Sequence, residues 1–300
     1  MQNTFRAFSK ALSFTSRSPF GVNEKVLKLR MKTVGSIQKI TKAMKMIASI
    51  KMRSDVSRLD KGKNFGVNTI QTLFNNEPYL QKKKQVPTIK KTLIVPITTD
   101  RGLCGGTNSG VVREVRATIN TSGDRNGFKI IVIGEKGVAA LARPFPDLLY
   151  QSINEIQSPL SFPAVASVSQ CLMRAAEDCD NIQIVYNQFK TVMSSVVAKV
   201  DVMPRKVFMD TFKYVVKHDT TEPEKDWAKV YFYEFYLAAK VYNAILNNVA
   251  SEQSGRMNAM ENASKNAGEM VNKLTLSYNK ARQARITMEL VEIISGAAAV

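Results

Sequence analysis

Apolar and small residues recur between Glu224 and Val300 at alternating spacings of three and four. They are Phe232, Phe235, Ala239, Tyr242, Leu246 and Val249, then Met260, Ala263, Ala267, Met270, Leu274, Ser277, Ala281, Ala284, Met288 and Val291. This is the a/d rhythm of a coiled coil. No proline follows Pro223. Some 75 helical residues would reach on the order of 110 Å at ~1.5 Å per residue. A compact 300-residue globule cannot bury such a rod, so the pattern predicts a rod that leaves the body and is wrapped by something else. Gln253 and Arg256 interrupt the rhythm beside Gly255, which predicts a bend or a loosened turn. The lower seam is small, with Ala263, Ala267, Ser277, Ala281 and Ala284, and suits a closely approaching partner helix.

A second long amphipathic helix is predicted from Asn23 to about Gly62, where no proline occurs and Gly35 is the only interior glycine. Ile37, Ile40, Met44 and Ile47 form a narrow stripe, and lysines and arginines cover the other faces. The narrow stripe suits one partner helix, and the shared heptad period points to the C-terminal rod. The helix reads on through Phe65, Ile70 and Leu73 and stops before Pro78.

Between the two helices the rhythm changes. Residues 78–91 read as a loop with the run Lys82, Lys83 and Lys84. Thr92–Thr99 is a β-branched run that reads as a buried strand, Ser109–Ile119 as a helix, and Phe128–Gly134 as a second buried strand. Glu135–Leu141 reads as a helix or turn. Pro144, Pro146, Pro159 and Pro163 mark a loop-rich middle. Ala164–Asp178 reads as a helix, Asn181–Tyr186 as a third strand and Thr191–Pro204 as a fourth. Strands alternating with helices predict a small α/β domain with a mostly parallel sheet. The domain is an insertion that brings the ends of the two helices together.

Charge changes the picture more than composition does. The chain carries a net charge of +18, which predicts an acidic partner without choosing among nucleic acid, an anionic membrane surface and acidic protein. Residues 1–22 hold Arg6, Lys10 and Arg17 and no acid. The cations share one helical face and Phe5, Phe8 and Leu12 another, the pattern of a mitochondrial transit peptide. Without those three cations the rest keeps +15. No apolar run is long enough to span a membrane. Cys104, Cys171 and Cys179 lack metal-ligand spacing and read as free thiols in a reducing compartment. His218 is the only histidine, which argues against a Ser-His-Asp site or a histidine metal cluster. No catalytic, cofactor or metal constellation emerges.

The loop Asp100–Asn108 follows a strand and precedes a helix, where phosphate-binding loops sit. Its Gly-x-x-Gly-Gly spacing matches neither the dinucleotide fingerprint nor a P-loop. Three readings stand: a weak phosphate site, tight turns with close backbone approach, or a surface loop presenting Arg101 to another subunit.

Three separated stretches carry a resemblance. Lys39–Ala48, Asp100–Gly106 and Arg256–Ala267 resemble the gamma subunit of the rotary F-type ATP synthase, as does the ending Tyr278–Ala298. The resemblance covers residues 24–300, and the transit-like start suggests the mitochondrial form. It implies a long antiparallel coiled coil of the N- and C-terminal helices with an inserted Rossmann-like α/β domain. Segments follow as 1–22 transit peptide, 23–77 N-terminal helix, 78–205 α/β domain and 206–300 C-terminal helix. It implies a non-catalytic rotor inside a ring of alpha and beta subunits, with delta and epsilon subunits in the central stalk, seated on the c-ring. That places it peripherally, on the matrix side of the mitochondrial inner membrane. The resemblance assigns contacts with beta-subunit loops to Arg101, Arg282 and Gln283, and a part in coupling to Met44, Thr287 and Glu289, with Lys42 close by. The competing class is a basic coiled-coil protein that binds nucleic acid or a membrane surface.

Overall fold

A computed structural model describes residues 24–69, 91–122, 125–156, 159–210 and 226–298. The expected transit peptide, the helix continuation through Ile70 and Leu73, and His218 lie outside the described residues. Helix α1 spans Glu24–Lys63 and ends in a wider turn over Asn64–Asn68. The middle of the chain contributes β1 (Thr92–Pro96), α2 (Thr107–Ser122), β2 (Phe128–Ile133), α3 (Glu135–Leu141), β3 (Leu149–Ile153) and α4 (Phe162–Ala175). Strands β4 (Asn181–Thr191) and β5 (Ser194–Val202) follow, then the short α5 (Arg205–Asp210) and the long α6 (Asp226–Ala298).

The sheet order is β3-β2-β1-β4-β5. The first four of these strands run parallel and β5 pairs antiparallel with β4. Both faces are covered, which is why the inner strands read as continuous apolar runs. Ile94, Ile130 and Val132 face Val111, Val115 and Ile119 of α2 and Leu141 of α3. Their neighbours Leu93, Val95 and Ile131 face the other way, with Val165 and Leu172 of α4, Phe208 of α5, and Tyr233, Leu237 and Val241 of α6. The first half of the long C-terminal helix is therefore part of the domain core.

Strand β3 is absent from the sequence reading. It is five residues long, its three middle side chains are exposed, and it lacks the apolar run that marked the others. β4 extends five residues past Tyr186, because the backbone of Asn187 and Gln188 pairs with Val197 and Val196 of β5. The loosened turn expected at Gly255 does not occur, since α6 is helical throughout. Gly255 answers a different need: a Cβ there would lie 2.6 Å from the Cys104 carbonyl oxygen.

The chain divides into two compact units, one of α1 up to Met44 with α6 from Met260, the other Lys45–Ala259. In the first, Arg285 Nη1 lies 2.6 Å from Glu24 Oε2, and Gly268 packs on the Gln38 side chain. Rising along α1 is falling along α6, so the helices are antiparallel. In the second, Leu59 packs with Leu246 and Ala250, and Phe65 meets Phe162, Phe235 and Tyr242 edge-on at 5.1–6.4 Å.

The heptad period was legible on both helices; its phase was missed on α1, while on α6 the expected seam residues Met260 and Ala267 are buried and Ala263, Met270, Leu274 and Ala281 half-buried. On α1 the buried positions are Leu27, Val34, Thr41, Ala48, Met52, Asp55, Leu59 and Gly62, whereas Ile40 and Ile47 are each 57% exposed. Short Thr41 and Ala48 let the helices approach, and the isoleucines fall on the adjoining stripe. On α6 the inward positions are Ser264 and Ala267, then half-buried Val271, Leu274 and Tyr278, while Ser277 and Ala284 are exposed. Cys104 and Cys179 are buried, Cys171 is half-buried, and all three are free thiols.

Candidate partner-contact site

The loop after β1 is held from three sides. Asp100 accepts the backbone N–H of Glu135 at 3.1 Å and that of Glu155 at 3.2 Å, clamping the starts of two further loops. Thr99 Oγ1 donates to the Arg101 carbonyl at 2.7 Å and accepts from Asn108 Nδ2 at 2.7 Å. Thr107 Oγ1 donates to the Cys104 carbonyl. From α6, Arg256 Nη2 reaches the Gly102 carbonyl at 3.4 Å and Glu252 Oε1 at 2.6 Å, while Nη1 donates to Gln253 at 2.9 Å. Gly105 adopts φ +65°, and a Cβ there would meet the Gly255 carbonyl at 3.6 Å. Gly105 thus serves the left-handed turn beside α6, and the side chain of Arg101 is left exposed.

Open α/β sheets hold ligands where strand order reverses, here between the carboxyl ends of β1 and β4. That crevice is filled by the protein itself. Asn248 Oδ1 on α6 accepts the Asn187 side-chain N–H at 2.9 Å and its backbone N–H at 3.4 Å. Asn187 Nδ2 also donates to the Thr107 carbonyl at 3.3 Å. Ser251 donates to the Asn187 carbonyl at 3.2 Å, and Asn247 accepts from the Phe189 N–H at 3.3 Å. Further along, Ser254 and Asn258 donate to the Val192 carbonyl. Five side chains on one face of α6 thereby hold the end of β4 and its hairpin by the backbone. The sequence reading missed this ladder. Its signal was Asn247, Asn248, Ser251, Ser254 and Asn258 recurring at helical spacing in an otherwise apolar stretch.

Burial leaves its mark on the titrating groups beside this face. The Glu252 carboxyl is pushed up, chiefly by loss of water, with the Arg256 hydrogen bond and charge opposing the shift. Asp55 is raised for the same first reason, and Arg58 and Lys51 oppose it. Burial also lifts the Tyr236 hydroxyl to about 12 and lowers Lys240.

The other residues singled out lie in the unit without Arg101. Lys42 is exposed and Met44 half-buried; Arg282, Gln283, Thr287 and Glu289 are exposed on α6. Thr287 Oγ1 donates to the Gln283 carbonyl at 3.0 Å, and Arg285 lies 3.3 Å from Glu289. Gln38 is opposite Gly268, and Arg282 is roughly 20 Å further along α6 from there. Lys42 and Met44 therefore stand at a different height from the group around Arg282. Sequence reasoning also passed over an apolar end: Ile286, Met288, Leu290, Val291, Ile293 and Ile294 are 40–67% exposed, beside a charged stripe of Arg285, Glu289 and Glu292. Among the described residues, no helix is long and apolar enough to cross a membrane and no acid, histidine or cysteine cluster could hold a metal ion.

The sequence profile of the family described as ATP synthase matches residues 23–300. A mitochondrial ATP synthase subunit gamma of Drosophila melanogaster is 36% identical, over 92% of this chain and 90% of its own. The chain belongs to the ATP synthase gamma family. The gamma chain of Pelagibacter ubique is 34% identical over 90% of this chain and 97% of its own. Among solved structures, the central stalk and c-ring of the Tetrahymena thermophila mitochondrial ATP synthase contains a chain 48% identical to this one. The TM-score is 0.68, over 75% of this chain and 99% of that one. A chain of the Euglena gracilis mitochondrial enzyme, 24% identical, shares the fold at a TM-score of 0.77 over 92% of this chain and 94% of its own. The long terminal helices with an inserted five-stranded domain are thus the gamma fold, and the chain is a non-catalytic, central-stalk rotor subunit of the mitochondrial type.

Proposed function

We propose that the chain transmits rotation from the c-ring to the catalytic alpha and beta subunits, with delta and epsilon subunits bracing the stalk at the matrix face of the inner membrane. The observation that carries this reading is the ladder from Asn247 to Asn258. It grips strand backbone at several points, so a force applied to the α/β domain is delivered to α6 without slip between packed side chains. The exposed apolar end of α6 suits an enclosing sleeve that touches it lightly. Depleting the chain from mitochondria should abolish ATP synthesis by inner-membrane vesicles. Normal synthesis by an enzyme lacking the chain would refute the reading.

Arg101, Arg282 and Gln283 are proposed as contacts with the beta subunits, Met44, Thr287 and Glu289 as residues that set coupling, with Lys42 beside them. An arginine fork can hold a carboxylate and release it as the surfaces part. An exposed ion pair is worth ~0–1 kcal/mol, but 1.4 kcal/mol within a barrier changes a rate about tenfold. Arg282→Ala with Gln283→Ala should therefore slow ATP hydrolysis or uncouple it at unchanged subunit content. Near-normal rates and proton pumping would make both residues ordinary solvated ones. Residues 1–22 are proposed to be removed on import, and a native N-terminus at Met1 or Gln2 would contradict that.

A further inference from the structure

The two edges of the sheet are treated differently. β3 is five residues long, its pairing with β2 shifts register between Ile130 and Ile131, and the Lys129 ammonium sits 3.8 Å above its Tyr150 ring. A short, irregular, charge-capped edge is one that resists pairing with another chain. β5 is longer, and the one register shift in its pairing lies at the hairpin end, between Phe189 and Thr191. The strand runs nine residues without proline, and its pairing with β4 is consecutive from Ser195 to Val202.

Both faces of β5 are already committed. Val197 packs on the α2 side, and Ala198, Val200 and Val202 pack on the α4 and α6 side. Its only charges are Lys199 and Asp201, and both are engaged within the domain. Lys199 Nζ lies 2.6 Å from Glu114 and 2.9 Å from Thr118 Oγ1. Asp201 Oδ1 accepts from Asn181 at 3.2 Å and Gln183 at 3.0 Å. Among the described residues no strand lies beyond β5, so alternate residues direct N–H and C=O groups outward. Met193 and Val196, 78% and 54% exposed, put apolar side chains at the hairpin end of that edge.

We propose that the outer edge of β5 receives an extended, uncharged strand from a neighbouring subunit of the assembled enzyme. A row of outward backbone donors and acceptors is matched only by another extended backbone. The incoming strand needs no charge, because Lys199 and Asp201 already have partners. A second copy of the chain is disfavoured, since each carries a large positive charge and two would repel. The source of the strand rests on the rotor reading; the open edge does not.

The test compares backbone amide hydrogen exchange across β5 in the complex purified with the native chain and in the isolated full chain at several concentrations. Alternate β5 amides should exchange roughly 100-fold more slowly in the complex than in the isolated chain, where they stay fast at every concentration. Val196→Lys should remove at least about tenfold of that protection while leaving the inner strand β1 unchanged. Equal rates in complex and isolated chain would overturn the proposal. Slow exchange in the isolated chain at all concentrations would also overturn it, by showing that the chain covers its own edge. Slow exchange only at high concentration would overturn it in favour of a second copy. The ATPase activity of the same preparation reports separately on the rotor reading.

Discussion

Asn248 accepts two hydrogen bonds from one residue, Asn187, which lies 61 positions away on β4. Both side chains are about 2% exposed. The pair occupies the crevice in which an open α/β sheet would otherwise hold a ligand, so this sheet serves as an attachment to a shaft.

Replacing Asn248 with leucine should destabilise the chain by about 2–3 kcal/mol, because the buried Asn187 N–H then has no acceptor and the side-chain amide loses one of two. Lys280→Ala, on an exposed stretch of the same helix, should change stability by less than about 0.5 kcal/mol. Thermal unfolding of the two variants checks the contrast. Equal effects would remove the ladder from the account.

Two glycines in helices should respond with opposite sign. A Cβ at Gly255 would meet the Cys104 carbonyl oxygen at 2.6 Å and Thr107 Oγ1 at 2.9 Å, so Gly255→Ala forces loop and helix apart and should cost about 1–3 kcal/mol. At Gly35 a Cβ meets nothing within 4 Å, and Gly35→Ala should stabilise by roughly 0.5–1 kcal/mol. Denaturant midpoints decide both.

Stability should also depend on pH through Glu252. Its carboxyl is raised above the ordinary 4.5, first by burial, with Asp100 and Asp55 adding to the rise. The folded state therefore holds its proton more tightly than the unfolded state. That contribution is fully present below pH 4.5 and is lost as pH rises through the folded value. Relative to Glu252→Gln, the unmodified chain should lose stability as pH increases from 4.5 into the range where the folded carboxyl ionises, and then run parallel to the variant. A stability difference that stayed constant, or an unmodified chain that lost ground to the variant as the pH fell, would show that burial does not govern this carboxyl.

These variants also mark what the sequence could and could not say. Spacing alone was enough for two long helices, because a three-four rhythm survives any tertiary context. On α1 it was not enough for phase, because the stripe with most carbon, Ile40 and Ile47, is not the one that lets two helices approach; Thr41 and Ala48 do that. Tight turns near Asp100 could be read from the glycines there, but that Gly105 turns against Gly255 of α6 was invisible until the two were placed together. Gly255 itself looked like a break because a helical glycine usually weakens a helix. The ladder went unread because asparagine and serine on a helix are ordinarily solvated, and only the pairing of Asn187 with Asn248 reveals their partners. Of the proposed contact residues, exposure on the helix surface could be expected of Lys42, Arg282, Gln283 and Glu289, but the pairing of Glu289 with Arg285 could not.

The central claim is that α6 turns together with the α/β domain whose strand backbone its Asn247–Asn258 face holds. Met193, at the exposed tip of the β4–β5 hairpin, offers a handle on the domain. The measurement is to introduce Met193→Cys in a chain whose own three cysteines are serine, attach a bead there, immobilise the catalytic subunits and supply ATP. The account predicts that the bead revolves in one direction for as long as ATP is hydrolysed. A bead that stays still, or only jitters about a fixed angle, while hydrolysis proceeds at its normal rate would contradict it.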